Sequence, residues 1–281
     1  MKIAVTGASG FIGRYVLAEL ANCSIEAIAI TRNRSHLQNM KATFRIVELD
    51  ISNAGNDEYE RIGRPDILIH LAWNGLPNYT SSHHIDIELP RQYQFLKGLV
   101  DAGLPSILVT GTCFEYGMQT GALSESVIPS PSNPYGSAKD LLRRKLQSLQ
   151  MTRSFSLTWA RLFYIYGEGQ SGNSLYSQLK ESVSRGDPVF NMSGGEQLRD
   201  YLPGDEVARL IVQLAVRMDN LGIVNVCSGK PVSVRELVES WISRHHWNIQ
   251  LNLGYYPYPD HEPMAFWGNR KRLDEILGRR P

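Results

Sequence analysis

Tyr135 and Lys139 stand four residues apart in the run Tyr135-Gly136-Ser137-Ala138-Lys139. In a helix that spacing puts both side chains on one face. A phenol has a pKa of about 10 and is a weak acid near neutrality. A neighbouring ammonium favours the phenolate and is expected to lower that value by about 1–3, toward the range where a side chain exchanges protons efficiently. Tyr-x-x-x-Lys alone is a common surface pairing. Thr112 lifts it above that: it follows the apolar run Ile107-Leu108-Val109 and offers a hydroxyl. In open α/β sheets ligands gather outside the carboxyl ends of strands. A hydroxyl placed there can donate to the substrate oxygen to which the tyrosine delivers a proton.

The second chemical motif lies at the start of the chain, Thr6-Gly7-Ala8-Ser9-Gly10-Phe11-Ile12-Gly13. An apolar strand, Lys2–Val5, precedes it, and a helix, Arg14–Ala21, with Val16, Leu17 and Leu20 on one side, follows. Strand, glycine turn and helix form the setting of a dinucleotide fingerprint, here spaced G-x-x-G-x-x-G. Gly7 permits the turn, Gly10 lets a pyrophosphate approach the backbone, and Gly13 lets helix and strand pack closely. Free N–H groups and the helix dipole favour the anion. After the second strand, Ile25–Ile30, comes Thr31-Arg32-Asn33-Arg34. An acid there would accept from an NAD ribose, whereas a guanidinium can hold a 2′-phosphate. Arg32 therefore favours NADP, with NAD possible; the plainer reading is that both arginines belong to a solvated loop.

Positioning these groups requires alternating elements. Strands are predicted at Lys2–Val5, Ile25–Ile30, Arg45–Leu49, Ile67–Leu71, Ile107–Thr110 and Ser156–Leu162, with helices between them such as Leu89–Ala102. Asn133 and Pro134 signal a helix start, and Ala138, Leu142, Leu146 and Leu149 supply its apolar stripe. The alternation predicts an α/β fold, a Rossmann-type doubly wound parallel sheet. Residues 1–165 form the expected NAD(P)-binding domain. Residues 166–281 form mostly a smaller substrate lobe, with about 200–227 returning to the sheet through a helix, Asp205–Met218, and a strand, Ile223–Val226. The stretch Asn252–Trp267, rich in Pro and Tyr, reads as irregular lobe structure.

Composition excludes several classes. The 281 residues include 29 basic and 28 acidic side chains, a net charge of +1, so no global field points to nucleic acid or membrane. Three cysteines, Cys23, Cys113 and Cys227, suggest neither a disulfide framework nor a zinc site. The chain enters its first strand without a signal-like segment, and no apolar run reaches the ~18 residues of a membrane span, which fits a cytoplasmic protein. His83-His84 and His245-His246 are adjacent pairs that do not share a helix face, so no metal is expected. His70, ending an apolar strand, reads as a packed, hydrogen-bonded residue.

Taken in order, the motifs resemble the extended short-chain dehydrogenase/reductases of the nucleotide-sugar epimerase/dehydratase/4-ketoreductase family. The resemblance rests on TGASGFIG, Asp50-Ile51, His70-Leu71-Ala72, TGTCFEYG, NPYGSAK, the run Arg161-Leu162-Phe163-Tyr164-Ile165-Tyr166-Gly167, Gln197–Tyr201 and Asn225–Gly229. It implies Thr112, Tyr135 and Lys139 as catalytic residues, with Lys139 also holding the nicotinamide ribose. Asp50 and Ile51 would flank adenine. Gly7, Gly10, Phe11, Ile12, Gly13, Arg32, Leu71, Ala72, Trp73, Thr110 and Leu162 would complete the cofactor site. Thr112, Cys113, Phe114 and Tyr164 would face the sugar, Tyr164 standing where family members often have Asn. Trp73, where small residues commonly follow the fourth strand, either shapes the sugar pocket by packing or belongs to the core. Arg199 would meet the diphosphate, with Arg270 a candidate second arginine. A homodimer is implied, using Leu89–Ala102 and the stripe on the Tyr135 helix.

Within that family, sugar-nucleotide dehydratases carry Asp-Glu directly after the catalytic threonine. Cys113-Phe114 occupies those positions and removes that reading. Epimerases that retain NAD usually show an acid after the second strand, which is absent here. The reading is therefore NADPH-dependent reduction of a nucleotide-linked 4-keto-6-deoxy sugar, for surface polysaccharide synthesis. A 4-epimerase is the alternative. A non-catalytic NADP sensor is a third reading, although such proteins typically lose the Tyr or Lys that this chain keeps.

Overall fold

The computed structural model describes residues 1–38, 40, 43–53, 55, 57–258 and 262–278. Seven strands, numbered in chain order, build the central sheet: β1 Lys2–Thr6, β2 Glu26–Thr31, β3 Arg45–Glu48, β4 Ile67–His70, β5 Ser106–Thr112, β6 Ser156–Leu162 and β7 Gly222–Val226. Their order is β7-β6-β5-β4-β1-β2-β3 and every neighbouring pair is parallel. The order reverses between β1 and β4, and that switch point opens a crevice at the carboxyl ends of the strands. The register aligns Thr6 with His70 and Thr112 with Leu162, so the residues at these strand ends face one rim.

The strands are near-continuous apolar runs because helices cover both faces. Helices Phe11–Asn22 and Gly204–Ala215 bury Val16, Leu17, Leu20, Val207 and Ile211 on one side. Helices Leu89–Asp101 and Pro134–Gln150 bury Leu96, Leu99, Leu142 and Leu146 on the other. Each such aliphatic side chain contributes on the order of 1.5–3 kcal/mol by leaving water. Ala138, Leu142, Leu146 and Leu149 are thus consumed inside the chain. The stripe assigned above to a dimer contact is not available for one, because its apolar area already covers the sheet.

Local signals explain the helix starts. The Asn133 side chain accepts from the Gly136 N–H at 2.8 Å and Pro134 is the first helical residue. The first helix begins at Phe11, not Arg14, so Gly13 lies inside its opening turn. A Cβ on Gly13 would stand 2.2 Å from the Gly7 carbonyl oxygen, so only glycine lets the helix sit this close to the turn.

Beyond β6 the chain forms a lobe around Tyr176, Leu179, Phe190, Val238 and Trp241. Its helices are Leu175–Arg185 and Val234–His245, the latter opened by a Ser233/Glu236 capping box. Within the stretch read as irregular, Phe266–Gly268 is a short strand paired with Gly121–Leu123, while residues 259–261 lie outside the described part. Among the described residues no helix is long and apolar enough to cross a membrane.

Candidate active site

The crevice divides into two connected cavities. The first is lined by Gly7 and Gly10, by Arg32 after β2, by Asp50 and Ile51 after β3, and by Leu71, Ala72 and Trp73 after β4. The helix after the glycine turn has no side-chain cap, so its leading N–H groups are free to face an anion. Gly7 has φ +66°, and a Cβ there would come 2.9 Å from the Ala72 nitrogen. This bare-backbone cradle, with apolar walls at Ile51 and Leu71, fits a dinucleotide. Arg32 is exposed at its rim.

The second cavity, about 370 Å³, brings Thr112, Tyr135 and Lys139 together and meets the first at Leu71 and Trp73. Phe11, Ile12, Thr110 and Leu162, expected at the cofactor, line it together with Cys113, Phe114 and Tyr164, expected at the sugar. Lys139 is the one charged side chain among the described lining residues. Arg199 and Arg270 do not line it. Arg199 is buried and donates to Glu262 at 3.0 Å and to the carbonyls of Leu198 and Met264. Arg270 donates to Asp274 and to the Cys227 carbonyl, both at 2.8 Å. Tyr164 also donates to Glu262, at 2.6 Å.

Thr112 is the last residue of β5 rather than a loop residue, and its side chain caps the turn Cys113–Tyr116. Glu115 completes that cap by accepting from the Thr112 N–H at 2.9 Å. The Glu115 carboxylate also accepts from Trp159 at 2.9 Å and from Arg161 at 2.7 Å, all fully buried. Arg161 in turn stacks over the Tyr116 ring.

The electrostatics differ from the sequence-based expectation. Tyr135 is not acidified: burial pushes its phenol well up, and a hydrogen bond to Thr112 pulls the other way. Lys139, only 2% exposed, is lowered to about 7, first by burial, against the raising influence of Glu115 and Glu88. Its ammonium donates to the Thr110 carbonyl at 2.9 Å and lies 5.8 Å from the Tyr135 ring centre. Desolvation is the largest influence on both groups.

A buried chain supports the floor. The Thr6 hydroxyl receives the N–H groups of Leu71 and Ala72, so its own proton goes to His70 Nδ1 at 2.9 Å. His70 Nε2 then donates to Gln92 at 2.7 Å, and Gln92 donates to Glu88 at 2.9 Å. Burial and Lys139 lower the His70 pKa to about 3. His70 is the packed, hydrogen-bonded residue that its place on an apolar strand suggested.

Residues 3–227 match the model of the NAD dependent epimerase/dehydratase family. The chain belongs to that family. Among its relatives, the dTDP-6-deoxy-L-talose 4-dehydrogenase (NAD(+)) of Aggregatibacter actinomycetemcomitans is 30% identical over 270 residues, 95% of this chain and 99% of that protein. The GDP-6-deoxy-D-talose 4-dehydrogenase of the same organism is 26% identical over 286 residues, 99% of this chain and 92% of that one. The structure of the UDP-glucuronic acid 4-epimerase from Bacillus cereus in complex with UDP-glucuronic acid and NAD superposes with a TM-score of 0.83 at 22% identity, covering 100% of this chain and 94% of that one. Membership in the epimerase/dehydratase family makes this chain a nucleotide-sugar-modifying enzyme of the extended short-chain dehydrogenase/reductase type.

Sequence reasoning missed Glu88, Gln92, Tyr79, His84, Glu115 and Glu262. The adjacent pair His83-His84 gives no sequence sign of the contacts that His84 makes with Trp73 and the Asn78 carbonyl. The signal for Glu115 was present, since Thr-x-x-Glu is a capping box. Glu88 and Gln92 stand one helical turn apart, but their link to His70, like the placement of Tyr79, His84 and Glu262, comes from tertiary contacts.

The family's other motifs have structural work. Asp200 accepts from the backbone N–H groups of Ser228, Gly229 and Gly268 at 2.7, 2.9 and 3.2 Å. It ties the Gln197–Tyr201 motif to the Asn225–Gly229 motif behind the second cavity.

Proposed function

We propose that this protein interconverts the 4-keto and 4-hydroxy forms of a nucleoside-diphosphate-linked 6-deoxyhexose and works as an NADPH-dependent 4-ketoreductase. The observation that carries this reading is the convergence of Thr112, Tyr135 and Lys139 in a cavity continuous with the glycine cradle. Cys113 and Phe114 supply no acid or base for dehydration. Leu76, Pro77, Tyr79 and Phe114 give the cavity an apolar wall suited to a C6 methyl and unsuited to a C6 carboxylate. The names of two relatives, both 6-deoxytalose 4-dehydrogenases, support chemistry at C4 of a 6-deoxy sugar, and a dehydrogenase runs the same exchange in reverse.

A bound nicotinamide supplies or accepts the hydride at C4. The chain's residues manage the proton and the charge. Tyr135 gives its proton to the carbonyl oxygen as negative charge develops there, and Thr112 donates a hydrogen bond to the same oxygen. The Lys139 ammonium stabilises the tyrosinate left behind, which offsets the burial that otherwise holds the phenol protonated.

Arg32 at the rim, with no acid at positions 32–34, supports NADP over NAD. The NAD(+) in one relative's name makes the comparison decisive to run. A homodimer through the outer surfaces of Leu89–Asp101 and Pro134–Gln150, where Leu141 is 41% exposed, accompanies this reading. The test is oxidation of NADPH and NADH by dTDP- and GDP-linked 4-keto-6-deoxyhexoses. Reduction with a higher kcat/KM for NADPH supports it. Equal or better use of NADH removes the cofactor half. Interconversion of 4-hydroxy epimers without added cofactor makes the protein an epimerase instead.

A further inference from the structure

Trp73 lies where the two cavities meet. The centre of its indole is 4.0 Å from the Lys139 Nζ, and its ring meets the Tyr135 ring edge-on with centroids 5.9 Å apart. Lys139 donates to the Thr110 carbonyl on one side and is covered by the indole on another, an arrangement that restrains where the ammonium can point. The rotamer of Trp73 is therefore a determinant of the reacting pair.

That rotamer is held by His84, which is completely buried. Trp73 Nε1 donates to His84 Nδ1 at 3.1 Å, and His84 Nε2 donates to the Asn78 carbonyl at 2.7 Å. An indole N–H can only donate and a carbonyl oxygen can only accept, so the two partners together require neutral imidazole with its proton on Nε2. The imidazole also packs against the Tyr135 ring, with centroids 5.3 Å apart. The loop it anchors crosses the start of the Tyr135 helix, where the Tyr135 N–H donates to the Tyr79 carbonyl at 3.1 Å. His84 is thus the point at which the end of β4, the loop of residues 74–82 and the Tyr135 helix are joined.

We propose that His84 is a positioning residue which, by fixing the Trp73 indole over Lys139 and against Tyr135, sets the geometry of the proton-exchanging pair. This rests on the ketoreductase reading above. His84 touches neither substrate nor cofactor in this role, and it acts through Trp73.

Two amide replacements separate this role from simple filling of space. In His84→Asn the side-chain oxygen takes the place of Nδ1 and still accepts from Trp73. In His84→Gln the amide nitrogen takes the place of Nε2, keeping the bond to the Asn78 carbonyl and leaving the indole N–H without its acceptor. The expected result is a fall in kcat of roughly tenfold for His84→Gln and for Trp73→Phe, with His84→Asn within about threefold of the parent. His84→Gln combined with Trp73→Phe falls no further than either alone. Equal losses in the Asn and Gln variants, a better Gln than Asn variant, or additive losses in the double variant overturn the proposal. NADPH affinity, read by energy transfer from tryptophan to the dihydronicotinamide, is measured on the same set without any sugar. It is expected to weaken by a common factor in His84→Gln, Trp73→Phe and the double variant, and an affinity equal in all variants overturns the proposal as well. Failure of the parent enzyme to reduce any keto sugar sinks the functional reading, while the affinity series still decides the role of His84.

Discussion

Acidification should destabilise this protein through His70 before its carboxylates titrate. The imidazole is 1% exposed, with both ring nitrogens bonded to neutral groups and Lys139 nearby, and its pKa is lowered from 6.5 to about 3. In the unfolded chain the ring takes its proton near 6.5. Between pH 6.5 and 3 the unfolded state therefore binds more protons than the folded state, so stability falls as pH falls through that window. Each pH unit is worth about 1.4 kcal/mol at full slope, and the whole window about 5 kcal/mol. Between pH 7 and 5, above the range of ordinary carboxylates, the same relation yields about 2 kcal/mol. The assay is urea unfolding at pH 7, 6 and 5 for the parent and for His70→Gln, which keeps hydrogen-bonding capacity without a titrating ring. The parent should lose about 2 kcal/mol more than the variant across that span. Because His70 stays neutral in the folded state over this span, its bond to Thr6 behind Leu71 and Ala72 is unchanged, and this group should not alter dinucleotide affinity between pH 7 and 5. Parallel losses in parent and variant would refute the reasoning and show that His70 is accessible to protons in the folded state.

The other expectations are more direct. Tyr135→Phe removes the proton donor and should lower kcat by about 10²–10⁴ with little change in dinucleotide affinity; near-normal turnover would sink the proposed role. Gly13→Ala places a Cβ 2.2 Å from the Gly7 carbonyl and 2.7 Å from the Ala8 carbonyl, so the opening helix must move off the turn. Titration calorimetry should then find dinucleotide binding lost, and parent-like affinity would mean the cradle is not the binding element. Glu115→Ala strands the fully buried Arg161 and leaves the Thr112 N–H without its partner, at a cost of about 3–5 kcal/mol in urea unfolding. A loss below about 1 kcal/mol would show that water reaches the pair.

Much of the site could be read from residues in order because its chemistry is locally encoded. The glycine run works through backbone it bares itself, between a strand and a helix that adjoin it in sequence. The Tyr135–Lys139 pair needs only a helix, and Asn133-Pro134 announces one. The alternation of apolar runs and helical stripes likewise dictates a parallel sheet, since each run must be covered on both faces. Motif order carried the family as well. Arg199 shows where such reading stops: its motif suggested a diphosphate partner, yet the folded chain gives it the Glu262 carboxylate from 63 residues away.

What the sequence by itself determined, then, is the glycine turn, the candidate trio Thr112, Tyr135 and Lys139, and the sheet that sets them at one rim. The tertiary structure alone decided their electrostatics and support. Burial is a property of the whole fold, and it reversed the expected direction for Tyr135 and brought Lys139 down to about 7. Of the supporting residues only Glu115 carries a local signal, the Thr-x-x-Glu cap on Thr112. Arg161 behind Glu115, Gln92 behind His70 and His84 behind Trp73 come from other segments, and a hydrogen bond between distant segments exists only once packing has brought donor and acceptor together.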